Sequence, residues 1–340
     1  MRVDGCEATR AKAPIRSLHD SWQLGGVTIP NRVVLAPLAG IGNWFVRLQA
    51  KRYGAGLAVS EMVSSFAIHY GNRKTHDELL TIDPRERVGG PVAMQLFGQD
   101  PEIMRSAAAH VATLGADIID LNMGCPVPKV MKTGAGAALL SNPDVAVEVA
   151  RAAIEGSGLP VTVKLRAEGV EVARRLVEEA GVAGIAFHPR TIKVRHKGTP
   201  DYDLAARLVE ELPVPVIVTG GMDAADHVRW VFEHTGCEAV MLARGSLGNP
   251  WLFEQVLGAR DEGPAVHEVL EEWGWVLDRA EEHLGSERGA RYLRKFHPWY
   301  AERLHAPHAV QDALQRAGTL DEQREIIADF GATMLGRAAV

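Results

Sequence analysis

Cysteine is scarce: Cys6, Cys125 and Cys237 are the three thiols in 340 residues. A set so sparse and odd in number builds no disulfide framework, and no pair has the spacing of zinc ligands. Each thiol is therefore read by its own surroundings, and no metal site is expected. Long hydrophobic runs are missing too; nothing approaches the ~18 uninterrupted apolar residues that a membrane span needs. The first twenty residues carry Asp4, Glu7, Arg10, Lys12 and Arg16 without an apolar stretch, which reads as neither signal peptide nor anchor. The expectation is a cytoplasmic protein with no membrane partner. Basic charge is not in excess either: 37 Lys and Arg face 43 Asp and Glu, for a net −6. That balance argues mildly against a nucleic-acid surface, so any phosphate-binding patch has to be local.

What is present is ordinary globular material, 46% hydrophobic and 24% charged. The length suggests one large domain and a smaller one. From about residue 30 to 250 one unit recurs: a short apolar run, a polar or glycine-rich break, then a one-sided helical stretch. The runs are RVVLA (32–36), LAVSE (57–61), VAMQL (92–96), IIDLN (118–122), VTVKL (161–165), GIAFH (184–188), VIVTG (216–220) and AVMLA (239–243). Short continuous apolar runs alternating with helices predict parallel strands buried on both faces. Eight such units fit a closed (β/α)8 TIM barrel; an open doubly wound sheet is the alternative. The barrel is preferred because polar residues follow nearly every run, and a barrel delivers them all to one C-terminal mouth. Composition changes at GARDEGP (258–264), after which the pattern is helical throughout. The reading is a loose N-terminal tail over 1–25, a barrel over 26–257 and a small C-terminal helical bundle domain over 258–340.

Several residues could carry chemistry. Cys125 sits in NMGCP (122–126), between Gly124 and Pro126, on the loop after the fourth run. It is either a small buried hydrophobe or a thiol acting as nucleophile or acid at the barrel mouth. Cys6 and Cys237 carry no such signal. Lys164 interrupts an apolar strand and needs a partner. That partner is either Glu61, in an internal ion pair, or a ligand in the mouth. His188, Arg190, Arg195, His196 and Lys197 make a dense basic loop after the sixth run, suited to water or to an anion. Gly220-Gly221 and Arg244-Gly245 follow the seventh and eighth runs, where barrels commonly hold a phosphate. Between residues 288 and 303, Arg288, Arg291, Arg294, Lys295 and Arg303 outnumber the single acid Glu302, with aromatics interleaved. That helix either packs its aromatics inward with charges to water or meets a phosphate backbone.

NMGCPVPKVMKTGAGAALL (122–140) resembles the signature of bacterial tRNA-dihydrouridine synthases. The resemblance runs through LAPLAGIGN (35–43), SEMV (60–63), PVAMQLFGQDP (91–101), VKLR (163–166), HPRT (188–191), ARGSLGNPWLF (243–253) and RYLRKFHPWY (291–300). It implies a barrel that holds FMN and reduces the C5=C6 bond of uridines in tRNA, with NADPH restoring the flavin. On that resemblance Pro37, Leu38 and Ala39 would press main chain against FMN, and Gln95 would hydrogen-bond its ring. Lys164 would lie at the pyrimidine edge of the ring and Asn122 beside the flavin and substrate base. His188, Thr219, Gly220, Gly221, Ala243 and Arg244 would complete the flavin and phosphate contacts. Cys125 would donate the proton that C5 needs once C6 has accepted hydride, a task for an acid still protonated near neutrality. Arg190, Lys197, Arg291, Arg294 and Lys295 would meet tRNA, and a monomer would suffice.

The chain departs from the family pattern in places. Ile192, Val194 and His196 stand where arginine, glutamine and tyrosine are usual, Thr219 replaces an asparagine, and Ala243 a glycine. Two other readings stay open: a dihydroorotate dehydrogenase-like enzyme acting on a free pyrimidine, and a non-catalytic tRNA-binding paralogue. The helical domain argues against the first and the retained Cys125 and Lys164 against the second.

Overall fold

Residues of alternating parity on a strand enter opposite faces, and that rule organises this molecule. A computed structural model describes residues 16–338; Cys6 and residues 1–15 of the expected tail lie outside the described residues. Eight parallel strands close into a barrel: β1 (Val33–Leu35), β2 (Leu57–Val59), β3 (Val92–Phe97), β4 (Ile118–Asn122), β5 (Val161–Arg166), β6 (Gly184–His188), β7 (Val216–Thr219) and β8 (Ala239–Leu242). Each pairs with the next; β8 returns to β1, and Ala58 of β2 registers with Val92 of β3. Each strand lies within two residues of its expected run. The helices begin on the mouth side, several capped by a polar side chain. Asn43 accepts from the N–H groups of Phe45 and Val46, Asp100 from that of Ile103, and Asp201 from that of Leu204.

Two apolar layers hold this arrangement. The outer one packs the strands against the helices. The inner one fills the lower lumen with Val34, Leu57, Ala93, Ile118, Ala186, Ile217 and Ala239. The lumen is closed from below by a two-stranded antiparallel hairpin, Trp22–Leu24 and Val27–Ile29. Gly25 and Gly26, at φ 55° and 89°, make its two-residue turn, which needs positive φ at both positions. The tail expected to end at residue 25 therefore includes the first strand of this plug. Trp22, Leu24 and Ile29 point up into the inner core. Gly184 makes room for them: a Cβ there would stand 2.8 Å from Leu24 Cδ1.

After the helix Trp251–Val256, five helices follow: Val266–Leu284, Ser286–Leu293, His297–Arg303, His308–Arg316 and Leu320–Ala338. They pack on the first β/α unit of the barrel. Glu272, 3% exposed, accepts from Gln49 Nε2 (2.7 Å), Arg52 Nη1 (3.1 Å) and Tyr53 Oη (2.7 Å). Three donors on one buried carboxylate satisfy a charge that burial alone would penalise heavily. Asn43 Nδ2 also donates to Tyr292 Oη at 2.7 Å. No helix among the described residues is long and apolar enough to cross a membrane.

The plug generates a stability prediction. Leu24 is fully buried, so Leu24→Ala should leave a void at the barrel floor and cost about 2–5 kcal/mol. A denaturant midpoint unchanged from wild type would show that the hairpin is not part of the core.

Candidate active site

Above its apolar floor the lumen turns polar, in rows set by strand register. Gln95, Asp120 and Thr162 are direct neighbours across β3, β4 and β5; two residues higher, Asn122 registers with Lys164. One step further, Arg166 registers with His188. These rows open into a cavity of about 850 Å3, within the size range of ligand pockets. Gln95, Asn122, Cys125, Lys164 and His188 line it from one side; Pro37, Leu38 and Ala39 line it from β1, and Thr219, Gly220, Gly221, Ala243 and Arg244 from β7 and β8. All thirteen of these sequence-selected positions therefore meet around one space.

Cys125 is half-buried in this wall. Its main chain is held on both sides. Its N–H donates to Asn122 Oδ1 at 2.9 Å, and its carbonyl accepts from Ala137 N at 3.0 Å. The glycine-rich tail explains the second contact. Gly136 has φ 63°, and a Cβ there would lie 2.8 Å from the Cys125 carbonyl oxygen. Arg166 ties this loop to the basic one: Nε donates to Gly124 O (2.9 Å) and Nη1 to Arg195 O (2.8 Å).

Lys164 is not paired with Glu61. The Glu61 carboxylate turns away to accept from the Gly40 N–H at 2.7 Å, and burial raises its pKa despite that bond and nearby Lys295. The Lys164 ammonium has no hydrogen-bonding or ion-pair partner among the described residues, and the residue lines the cavity. Burial, then the charge of Arg166, lowers its pKa to about 8, against the pull of Asp120 and Cys125. A cation held without a partner in a cavity wall fits an electron-rich ligand edge.

His188 is neutral: burial first, then Lys164 and the arginines, push its pKa down to about 2. Arg190 Nη1 lies 3.3 Å from His188 Nε2. A guanidinium can only donate, so Nε2 accepts and Nδ1 carries the proton. Arg190 also donates through Nε and Nη2 to Gly198 O, at 3.0 and 2.7 Å. It is 8% exposed and lies beside Gly220 in the cavity wall, so its guanidinium faces the mouth and not open solvent. Thr219 donates its hydroxyl to Met241 O at 2.7 Å, so that proton is not free for a ligand. Gly220 and Gly221 have φ 108° and 74°, and Tyr202 Oη donates to Gly220 O at 2.7 Å. Gly245 lets the loops after β7 and β8 touch, since a Cβ would come 2.3 Å from Met222 O.

The helical domain reaches this mouth directly. Lys295 Nζ donates to Gly40 O, in the loop after β1, and stands 3.8 Å from the Tyr292 ring centroid. Lys295 is nevertheless exposed, with two further ammonium N–H groups left over from that bond. Arg294 is half-buried, its Nε enclosed without a partner, whereas Arg291 and Lys197 are exposed. Three groups escaped the sequence reading: Asp120, Thr162 and Arg166. The signal was there, because each lies two residues from a selected residue on the same strand and so shares its face. No cluster of three or more metal-ligating side chains occurs among the described residues.

A sequence profile of the dihydrouridine synthase family matches residues 34–334. The chain is 33% identical over 324 residues to tRNA-dihydrouridine synthase B of Shewanella oneidensis, covering 91% of this chain and 92% of that one. It is 34% identical over 323 residues to the Pseudomonas aeruginosa enzyme of the same name, covering 91% and 96%. The chain belongs to the dihydrouridine synthase family. It is thus an oxidoreductase, and the polar mouth is where the family's chemistry has to be sought. Among solved structures, morphinone reductase in complex with tetrahydroNAD superposes with a TM-score of 0.55 at 18% identity, over 75% of this chain and 94% of that one. A 2-naphthoyl-CoA reductase superposes with 0.56 at 13% identity, over 72% and 52%. These two likenesses establish the barrel fold.

Lys164 yields a prediction whose sign can be worked out. Its folded pKa of about 8 lies below the ordinary 10.5, so folding penalises the charged lysine at every pH below 8. Between 8 and 10.5 the folded protein has already released the proton while the unfolded chain still holds it, and wild-type stability rises with pH. Lys164→Met should therefore raise the melting temperature of the ligand-free protein at pH 7, with the gain shrinking above pH 8. A variant less stable than wild type at pH 7 would mean the ammonium has a stabilising partner.

Proposed function

We propose that this protein reduces the C5=C6 bond of uridine in tRNA, with FMN in the barrel mouth and Cys125 as proton donor. The observation that carries the reading is the joint placement of Cys125 and unpartnered Lys164 on one cavity wall, opposite the Gly220-Gly221 and Arg244 loops. The residues fit a flavin mononucleotide. The cavity is of ligand size, its floor row carries amides, and its far side has arginines beside positive-φ glycines, which suit a phosphate. FMN, when bound, would supply the hydride, with NADPH as the reductant that uses the same mouth.

The chain's own residues then do the rest. Gln95 and Lys164 would hold the ring edge, where the Lys164 cation would favour negative charge. Arg190, Arg244 and the glycine pair would hold the phosphate. Neutral His188 presents its acceptor to Arg190, keeping that guanidinium aimed at the phosphate side. Asn122 fixes the main chain at Cys125, and Sγ delivers a proton to C5 of the base. A uridine has to leave its stack to reach this depth. Exposed Lys197, Arg291 and Lys295 are among the cations that would meet the RNA backbone at the rim, and Lys295 also positions the loop after β1.

The direct test is mass spectrometry of nucleosides from unmodified tRNA incubated with protein, FMN and NADPH, where uridine should gain two hydrogens. No gain on tRNA but a gain on a free pyrimidine would move the substrate to a small molecule. Cys125→Ala should keep FMN and its reduction by NADPH while lowering dihydrouridine formation by about 10²–10⁴-fold, the usual contribution of a positioned acid. Full activity in that variant would remove Cys125 from the mechanism. Lys197→Ala with Arg291→Ala should weaken tRNA binding and flatten its salt dependence by about 0.7–0.9 per lost phosphate contact. Unchanged affinity and slope would place the RNA elsewhere.

A further inference from the structure

Asp120 is a carboxylate buried inside the polar rows of the barrel, 1% exposed, and the mechanism above does not use it. It accepts from Thr162 Oγ1 at 2.6 Å and from Gln95 Nε2 at 2.6 Å. Gln95 Oε1 accepts in turn from Asn122 Nδ2 at 2.9 Å. Asn122 Oδ1 accepts from the N–H of Cys125 at 2.9 Å and that of Gly124 at 3.3 Å. An unbroken chain thus runs from Asp120 to the main chain of Cys125.

Two side-chain amides are ambiguous by themselves, because either end can face a partner. Here both ends of the chain remove the ambiguity. An ionised carboxylate can only accept, and a main-chain N–H can only donate. Between them Gln95 and Asn122 have one self-consistent orientation. Gln95 keeps one amide N–H for the cavity it lines, and the second N–H of Asn122 rests near Met62 Sδ, 3.6 Å away, a weak acceptor easily exchanged for a better one.

We propose that Asp120 is a positioning residue: its anion anchors the floor end of the Gln95–Asn122 amide chain, whose other end the Cys125 N–H fixes, so that an amide donor of Gln95 faces the flavin and the loop of Cys125 is held at its amide nitrogens. The proposal rests on the functional reading above and deepens it. The charged group facing Asp120 is Lys164, on β5; the other contacts, Gln95 and Thr162, are neutral. Burial raises Asp120 to a pKa of about 6, against the two hydrogen bonds and Lys164. Protonation removes the charge that draws in the Gln95 N–H and lets one carboxyl oxygen donate, so the Asp120 end of the chain is held less firmly while the Cys125 end still fixes its direction. His188 at about 2 and His196 at about 4 stay neutral above pH 5, whereas Glu61, also raised by burial, holds the loop after β1. An acid limb is therefore assigned by its loss on substitution.

The test is FMN affinity, followed by the quenching of flavin fluorescence between pH 5 and 8, for wild type and Asp120→Asn. Wild-type affinity should fall as pH drops through about 6. The variant, whose amide can donate as well as accept, should bind FMN more weakly at pH 7.5, on the order of tenfold, and should lose that part of the pH dependence. Thr162→Val removes one donor from the anion and should move the wild-type acid limb to higher pH. Wild-type affinity and pH dependence in Asp120→Asn would overturn the proposal. If Asp120→Asn does not fold, Thr162→Val decides, and an unmoved limb overturns it. A wild-type protein that binds no FMN would overturn both this proposal and the functional reading; FMN binding with an indifferent Asp120 would overturn this one alone.

Discussion

Eight parallel strands closed into a ring have no free edge and only two faces. Every second residue of each strand must enter the lumen, and register decides which residues meet there. The site depends on that constraint. In the lower rows the inward residues are Ala93, Ile118, Ile217 and Ala239, and the hairpin packs against them. In the upper rows they are Gln95, Asp120, Thr162, Asn122 and Lys164. The boundary between apolar floor and polar mouth is one step of the pleat. It desolvates Asp120 and Lys164 together, on adjacent strands and with opposite charge, so each partly offsets the other's burial.

The eight strands were legible because each is a short apolar run bounded by breaks, a signal that survives burial on both faces. The cavity lining was legible where a residue interrupted a run or followed it: Lys164, His188, Gly220 and Arg244. Partnership was not legible. Parity alone puts Asp120 on the same face as Asn122, but only register across β3, β4 and β5 shows that it meets Gln95 and Thr162. Burial was likewise hidden in the basic loop, where Arg190 and Lys197 look alike in sequence. One lies in the cavity wall on the Gly198 carbonyl; the other stands in solvent. The hairpin escaped because three-residue strands carry almost no periodicity, and the turn signal of Gly25-Gly26 was passed over.

Net charge misleads in the same way. Acids outnumber bases over the whole chain, yet Lys164, Arg166, Arg190, Arg195 and Arg244 line the mouth, with Asp223 the acidic side chain in its lining. Many acids are spent elsewhere, in surface pairs such as Glu171 and Glu211 with Arg174 and in the buried Glu86–Arg47 pair. A low-dielectric cleft with cationic walls concentrates positive potential where a global average shows none.

The bond from Lys295 to the Gly40 carbonyl joins positions 255 residues apart. Chains are made from the N-terminus, and domains tend to fold as they emerge. A barrel that closes during synthesis would have its first mouth loop tethered by Glu61 on one side alone. The cation that grips the other side is encoded after the whole barrel. The mouth is thus finished by a segment translated later than all eight strands, and a product truncated after the barrel would carry every lumen residue yet lack one wall support.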